Sequence, residues 1–188
     1  MKILNLGCGG TRPQDPMWLN VDNWEGGGHE INEPNFVRHD LRQKLPFESS
    51  TFDGCLFSHC LEHLDAQEGL CVMREILRVL KPSGILTVSV PDASYFRKVY
   101  PEDRNENWPR LFGVTDPPNP IPTFFEAALW FDQHKAIMCE DTVWAFFIRA
   151  GFNEPFFGLV EGHPVFDQIK PHLNRLEFSL IMSAAKPL

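Results

Sequence analysis

The chain has 188 residues, 43% of them hydrophobic and 22% charged, a balance that excludes a disordered or fibrous protein and suits one domain with a sizeable core. Asp and Glu outnumber Lys and Arg by 25 to 17, for a formal net charge of -8. An acidic surface repels phosphate backbones and anionic lipids, so neither nucleic acid nor membrane is an expected partner. Five cysteines, an odd count with no CxxC pair, read as reduced thiols and not as a disulfide framework. No apolar run approaches the ~20 residues of a membrane span, and the apolar start Met1-Lys2-Ile3-Leu4 is too short for a signal peptide. The expected location is the cytoplasm.

The hydrophobic pattern predicts a buried strand over 2–6 that runs into Gly7-Cys8-Gly9-Gly10, then strands over 18–21, 36–39 and 52–57. A helix follows over 66–80, with Leu70, Met73, Ile76, Leu77 and Leu80 on one face. Lys81-Pro82-Ser83-Gly84 stops it, and a strand over 85–90 comes next. Residues 95–125 are rich in proline and charge, so little regular structure is expected there. The aromatics Tyr95, Phe96, Tyr100, Trp108 and Phe112 favour a packed lid over a linker. A helix over 141–150 ends at Gly151, and strands over 156–160 and 178–184 complete the chain. This order implies an open, mostly parallel α/β sheet, in which ligands bind beyond the carboxyl ends of the strands at the switch point.

Several motifs fall at that edge. The glycines after the first strand serve either a tight turn or a close backbone approach to a ligand. Asp22 ends the second strand, thirteen residues beyond Gly9, where a carboxylate either accepts both hydroxyls of a ribose or caps a turn. A dinucleotide is disfavoured. The third glycine position of G-x-G-x-x-G is Arg12, and Pro13 and Pro16 follow before Trp18. That leaves no room for the helix whose N-terminus would face a pyrophosphate. A nucleoside cofactor without phosphate loses less. Asp40 is suited to accept from an adenine amino group with Leu41 against the base, or to cap a helix. Ser58 and His59 open the polar tip of the fourth strand.

His59, Glu62 and His63 match the H-x-x-E-H spacing of a zinc-peptidase pattern. That chemistry needs both histidines on one helical face. Here the motif follows a strand directly, so zinc hydrolysis is set aside and no metal is expected. His63 reads first as a packed histidine and second as a base. His134 is the better base candidate, against a plain helix-start role. Asp92 and Tyr95, just past the fifth strand, either touch substrate or begin the lid. Trp130, Phe131, Trp144, Phe146 and Phe147 read as core. Arg97, Lys98, Arg104 and Arg110 read first as a solvated charged lid and second as contacts for an anionic acceptor.

The ordered set NLGCGG at 5–10, NVD at 20–22, HDL at 39–41, LPFESSTFD at 45–53, SHCLEHL at 58–64, REILRVLKPSGILTVSVPD at 74–92 and WFDQHKAIMCEDTVWAFFIRAGF at 130–152 resembles the class I S-adenosylmethionine-dependent methyltransferases of the small type 11 group. The resemblance implies a Rossmann-like, open twisted, mostly parallel seven-stranded sheet with an antiparallel last strand. The crossover after strand one is shortened, and 93–133 form an irregular substrate lid within one domain over 1–188. It also implies S-adenosylmethionine as cofactor, with Gly7, Cys8 and Gly9 on the methionine part, Asp22 on the ribose, Asp40 and Leu41 about the adenine, and Ser58 and His59 beside the sulfonium and methionine tail. The expected activity is methyl transfer to a small-molecule acceptor by in-line displacement. The alternative is a non-catalytic cofactor-binding or scaffold relative, favoured by the loop GCGG, which lacks the last glycine of G-x-G-x-G. A homodimer is compatible with aromatics near the lid. Ser83 replaces the second glycine of the family's KPGG turn, with little expected consequence.

Overall fold

The computed structural model describes residues 1–23, 32–95, 134–173 and 178–188. In chain order its elements are β1 (Ile3–Leu6), β2 (Trp18–Asp22), β3 (Phe36–Arg38), β4 (Phe52–Ser58), α1 (Ala66–Val79), β5 (Leu80–Pro91), α2 (Glu140–Ala150), β6 (Phe156–Phe157), α3 (Pro164–Ile169) and β7 (Ser179–Ala185). They form one seven-stranded sheet in the order β3-β2-β1-β4-β5-β7-β6. Strands β1 to β5 run parallel, and β7 is antiparallel to both β5 and β6. This is the α/β, mostly parallel sheet with an antiparallel last strand that the sequence implies.

Burial on both faces explains why the inner strands read as near-continuous apolar runs. One face carries Leu4, Leu6, Val21, Cys55, Phe57, Leu86 and Val88, packed against Val72, Met73 and Ile76 of α1 and Val143 and Phe147 of α2. The other carries Ile3, Trp18, Leu56 and Ile85, packed against Val165, Phe166 and Ile169 of α3. Helix α1 begins with a capping box: the Asp65 carboxylate accepts from the amides of Gln67 and Glu68, and Glu68 accepts from the amide of Asp65.

Most boundaries shift by a residue from the sequence reading, and β5 starts at Leu80, so that it takes in residues 81–84, expected as a stop. Helix α1 stops at Val79, because Leu80 is already extended and pairs with Phe52. Strand β6 is two residues long. At Gly158 the chain takes a positive φ of 74°, and its amide donates to the carbonyl of Ile181. Helix α3 was not expected. It is six residues long, opens with proline in its first turn, and is capped by the ring of His163, which accepts from the amide of Val165 at 3.3 Å. Ser83 adopts φ 62°, the left-handed conformation that glycine occupies without penalty, so the serine at this turn is not neutral.

The crossover from β1 to β2 is irregular, as the two prolines dictate, and two buried asparagines take the place of a packed helix. Asn5 and Asn20 are 2% and 0% exposed. The Asn5 amide donates to the carbonyl of Thr11 at 2.8 Å and to Asn20 Oδ1 at 2.9 Å. Asn20 in turn donates to the carbonyl of Pro13 at 3.1 Å. The loop's inward carbonyls are thereby satisfied.

The ends of the segment that the sequence reads as a lid are also fixed. The Asp92 amide donates to the carbonyl of Phe178, and the Ala93 amide to the carbonyl of Met138, both at 2.9 Å. The lid itself, with Arg97, Lys98, Arg104, Arg110, Trp130 and Phe131, lies outside the described residues over 96–133.

Candidate functional site

The register aligns the carboxyl ends of the inner strands. Leu6 pairs with Val21 and with Phe57, Asp22 with Arg38, and Ser58 with Ser89. The residues that follow these ends enclose a cleft of about 710 Å³, lined by Gly7, Gly9, Gly10, Asp22, Asn23, Asp40, Leu41, Arg42, His59, Cys60, His63, Leu64 and Lys135. It sits where β1 separates β2 from β4, the switch point of a doubly wound sheet. Its volume is in the range of small-molecule sites.

Gly7 is required by shape. Its φ is 63°, and a Cβ there would lie 2.5 Å from Cys60 Sγ. The Gly7 amide donates to the carbonyl of Val21 at 2.9 Å, which turns the chain toward Asp22. The Gly9 amide donates to Asp22 Oδ2 at 2.8 Å. Among the described residues, chain neighbours aside, no heavy atom lies within 4 Å of where a Cβ would stand on Gly9 or Gly10, so this part of the cleft floor is bare backbone.

Seven of the twelve predicted site residues line this cleft: Gly7, Gly9, Asp22, Asp40, Leu41, His59 and His63. Cys8 lies behind it, 5% exposed. Burial, with the nearby Asp22 carboxylate, pushes its thiol up to about 12, so it stays protonated at neutral pH. Ser58 is also off the lining, and its hydroxyl is buried with no hydrogen-bond partner among the described residues. Asp92 accepts from the amide of Ser94 at 2.8 Å, and the Tyr95 ring lies 6.4 Å from that of Phe178. Both stand at the entry to the lid and not on the cleft wall. The His134 ring meets that of His63 edge to face, with centroids 4.8 Å apart.

Asp40 has a partner that the sequence reading did not supply. Arg42 Nε and Nη2 donate to its two oxygens at 2.9 and 2.7 Å, and the Arg42 amide adds a third bond at 3.0 Å. These bonds hold the Asp40 carboxyl down at about 2. In the sequence HDLR the basic residue stands two beyond the acid, an ordinary spacing that does not by itself announce the pair.

His59 is also constrained. It has φ 49°, uncommon for a side chain with a Cβ and typical of functional sites. Its amide donates to the carbonyl of Ser89, its Nε2 lies 2.9 Å from Ser179 Oγ, and its Nδ1 lies 3.5 Å from Glu62 Oε1. Glu62 was singled out only within the H-x-x-E-H spacing. That motif occupies a short 3-10 turn over Leu61–His63 and no α-helix, so the peptidase geometry is absent. Glu62 is nonetheless 1% exposed, and neither carboxylate oxygen has a hydrogen-bond partner among the described residues.

The chemistry of the cleft suits a nucleoside bearing a charged amino-acid tail. Asp22 supplies an acceptor at the end of β2, Leu41 and Leu64 give apolar walls, and bare backbone at Gly9 and Gly10 admits close approach.

Comparison with known proteins agrees. Residues 4–88 match the family described as a methyltransferase domain. None of the curated proteins matches the sequence. Among solved structures, the chain is similar to an S-adenosylmethionine-dependent methyltransferase from Archaeoglobus fulgidus, at 17% identity and a TM-score of 0.59, covering 98% of this chain and 86% of that one. It is similar to another from Thermotoga maritima, at 15% identity and 0.59, covering 98% and 82%. A third, from Methanosarcina mazei, aligns at 16% identity and 0.57, covering 100% and 92%. These likenesses establish the Rossmann-like methyltransferase fold. The match over β1 to β5 implies S-adenosylmethionine as the cofactor. Among the described residues no helix is long and apolar enough to cross a membrane.

Proposed function

We propose that this chain, a member of the S-adenosylmethionine-dependent methyltransferase class by the match over 4–88 and by its fold, transfers a methyl group to a small-molecule acceptor. The observation that carries the reading is the cleft at the β1 switch point, where a bare-glycine floor meets the Asp22 carboxylate at 2.8 Å. Bound there, the cofactor supplies an activated methyl group. The chain's own part is positioning: holding the acceptor atom in line with the methyl carbon supplies much of the rate. A hydroxyl or amine acceptor also loses a proton, and His63 and His134 stand beside the cleft to take it.

The same reading takes 1–188 as one domain, with 93–133 as the segment that selects the acceptor. Asp92 and Tyr95 stand at its entry, on the cofactor's edge of the sheet. Gly7, Gly9, Asp22, Leu41 and His59 are its cofactor-binding residues. Ser58 and Cys8 act from behind the wall, and Asp40 acts as a pair with Arg42.

The test is calorimetric titration of the whole chain with S-adenosylmethionine and S-adenosylhomocysteine, with NAD as control, followed by transfer of labelled methyl to a panel of hydroxyl and amine acceptors. Binding of the first two alone supports the cofactor assignment. Turnover with any acceptor supports catalysis. Binding without turnover across a broad panel favours the non-catalytic relative, and no binding of either rejects the reading.

A further inference from the structure

Glu62, His63 and His134 converge beside the cleft. One donor atom from each lies within 4.8 Å of the other two. Glu62 is the unusual member, because its side chain is 2% exposed and makes no hydrogen bond among the described residues. A buried carboxylate in that state has lost hydration without replacement, which is costly unless a cation compensates it. His59 Nδ1 stands 3.5 Å from Glu62 Oε1, too long for a good hydrogen bond.

The backbone holds the three together. The carbonyl of Glu62 accepts from the amides of Lys135 at 2.8 Å and Ala136 at 3.2 Å, which places His134 against the turn carrying His63.

We infer that this cluster is a binding site for a divalent transition ion of the zinc class, held by Glu62, His63 and His134. Two imidazoles and one carboxylate suit zinc, cobalt, nickel or iron, whereas magnesium and calcium call for oxygen-rich sites. In the tetrahedral arrangement usual for zinc, donors about 2.1 Å from the ion lie about 3.4 Å apart. The present spread of up to 4.8 Å must therefore contract as the three side chains turn toward the ion. Three protein ligands leave a coordination position for water or for an acceptor atom, and with the ion bound that position, in place of the two imidazoles as bases, would serve the acceptor's deprotonation. His63 lines the cleft, so the ion stands at its wall. This assignment does not depend on the cofactor.

The experiment uses the full chain stripped of metal by chelator. It is titrated with Zn²⁺ by calorimetry and with Co²⁺ by visible absorption, with Mg²⁺ as control. Each sample is also titrated with S-adenosylhomocysteine. The expected result is one equivalent of Zn²⁺ or Co²⁺ bound, with cobalt absorption typical of four or five ligands and no competition from Mg²⁺. In His134→Ala and His63→Ala the affinity falls by more than the roughly 10–100-fold that loss of an outer partner costs. Glu62→Gln falls similarly, and if it does not fold the two histidine variants decide. Absence of stoichiometric uptake, or uptake unchanged in both histidine variants, overturns the site. Metal uptake without homocysteine-cofactor binding overturns the proposed function and leaves the metal site standing. The reverse pattern does the opposite.

Discussion

The amide of Gly9 donates to the carboxylate of Asp22 at 2.8 Å, so one side chain both shapes the glycine loop and faces the ligand. The two roles separate by substitution. Asp22→Asn keeps an oxygen for Gly9 but loses the charge and one acceptor, whereas Asp22→Ala loses both roles. A hydrogen bond to a charged group contributes about 1.5–3 kcal/mol. Cofactor affinity measured by calorimetry is therefore expected to fall by about tenfold in the first variant and about 100-fold in the second. Equal losses would assign the carboxylate to the ligand alone, and an unchanged affinity in Asp22→Asn would assign it to the loop alone.

Asp40 and Arg42 give a pH prediction. The three bonds from Arg42 lower the Asp40 carboxyl from its usual value to about 2. A depressed acid contributes stability above its unfolded pKa of about 3.9, and that contribution is lost as pH falls through the folded value. The pair therefore helps the fold at pH 5 and above, and its help disappears between about pH 4 and pH 2. In Arg42→Ala the midpoint of the Asp40 carboxyl, followed by carbon-13 chemical shifts, is expected to rise toward the ordinary value of about 3.9 but stay below it, because the amide of residue 42 still donates. A midpoint unchanged by the substitution would remove Arg42 as the cause.

Ser83 occupies left-handed backbone in the turn between α1 and the core of β5. For a residue with a Cβ this conformation costs about 1–2 kcal/mol. Glycine removes that cost but adds about 0.4–1 kcal/mol of unfolded-state entropy. Ser83→Gly is expected to raise stability by up to about 1 kcal/mol, read as a higher urea midpoint with an unchanged slope. A lower midpoint would show that the serine hydroxyl compensates.

The Asn5–Asn20 pair predicts a large loss from a nearly isosteric change. Asn20→Leu removes the donor to the Pro13 carbonyl and the acceptor for Asn5. Each buried group left unsatisfied costs about 1–3 kcal/mol, so thermal unfolding should report a destabilisation of roughly 2–5 kcal/mol. Because the loop carrying Gly9 hangs on the same pair, cofactor affinity should fall as well. Stability within about 0.5 kcal/mol of the parent would contradict the role given to these amides.

The parallel strands and the edge they present were legible because burial on both faces forces short apolar runs, and glycine or an acid follows β1, β2 and β3 at that edge. The short crossover could be read from Pro13 and Pro16, but what it packs on could not. Asn5 and Asn20 interrupt apolar strands, yet the sequence does not say whether such an amide meets water or a loop carbonyl. Helix α3 is too short for a 3.6-residue period to show. Arg42 was overlooked because an exposed arginine two residues beyond an acid is ordinary, and only the bidentate geometry makes it part of the cleft. The H-x-x-E-H spacing alone does not show that Glu62 and His63 share a 3-10 turn. His134 is brought beside them by backbone bonds between Glu62 and residues 135 and 136, a pairing that no local pattern announces.

The bond from Ala93 to the carbonyl of Met138 has an evolutionary consequence. It closes the base of the segment between them, so both stubs stay in place whatever the chain between them does. Closing a loop of different length across fixed ends changes the entropy only slowly, by about 0.6 kcal/mol per doubling. A lineage could therefore swap, lengthen or shorten the segment at little cost to the sheet, and on the proposed function that would change the acceptor while the cleft is inherited intact.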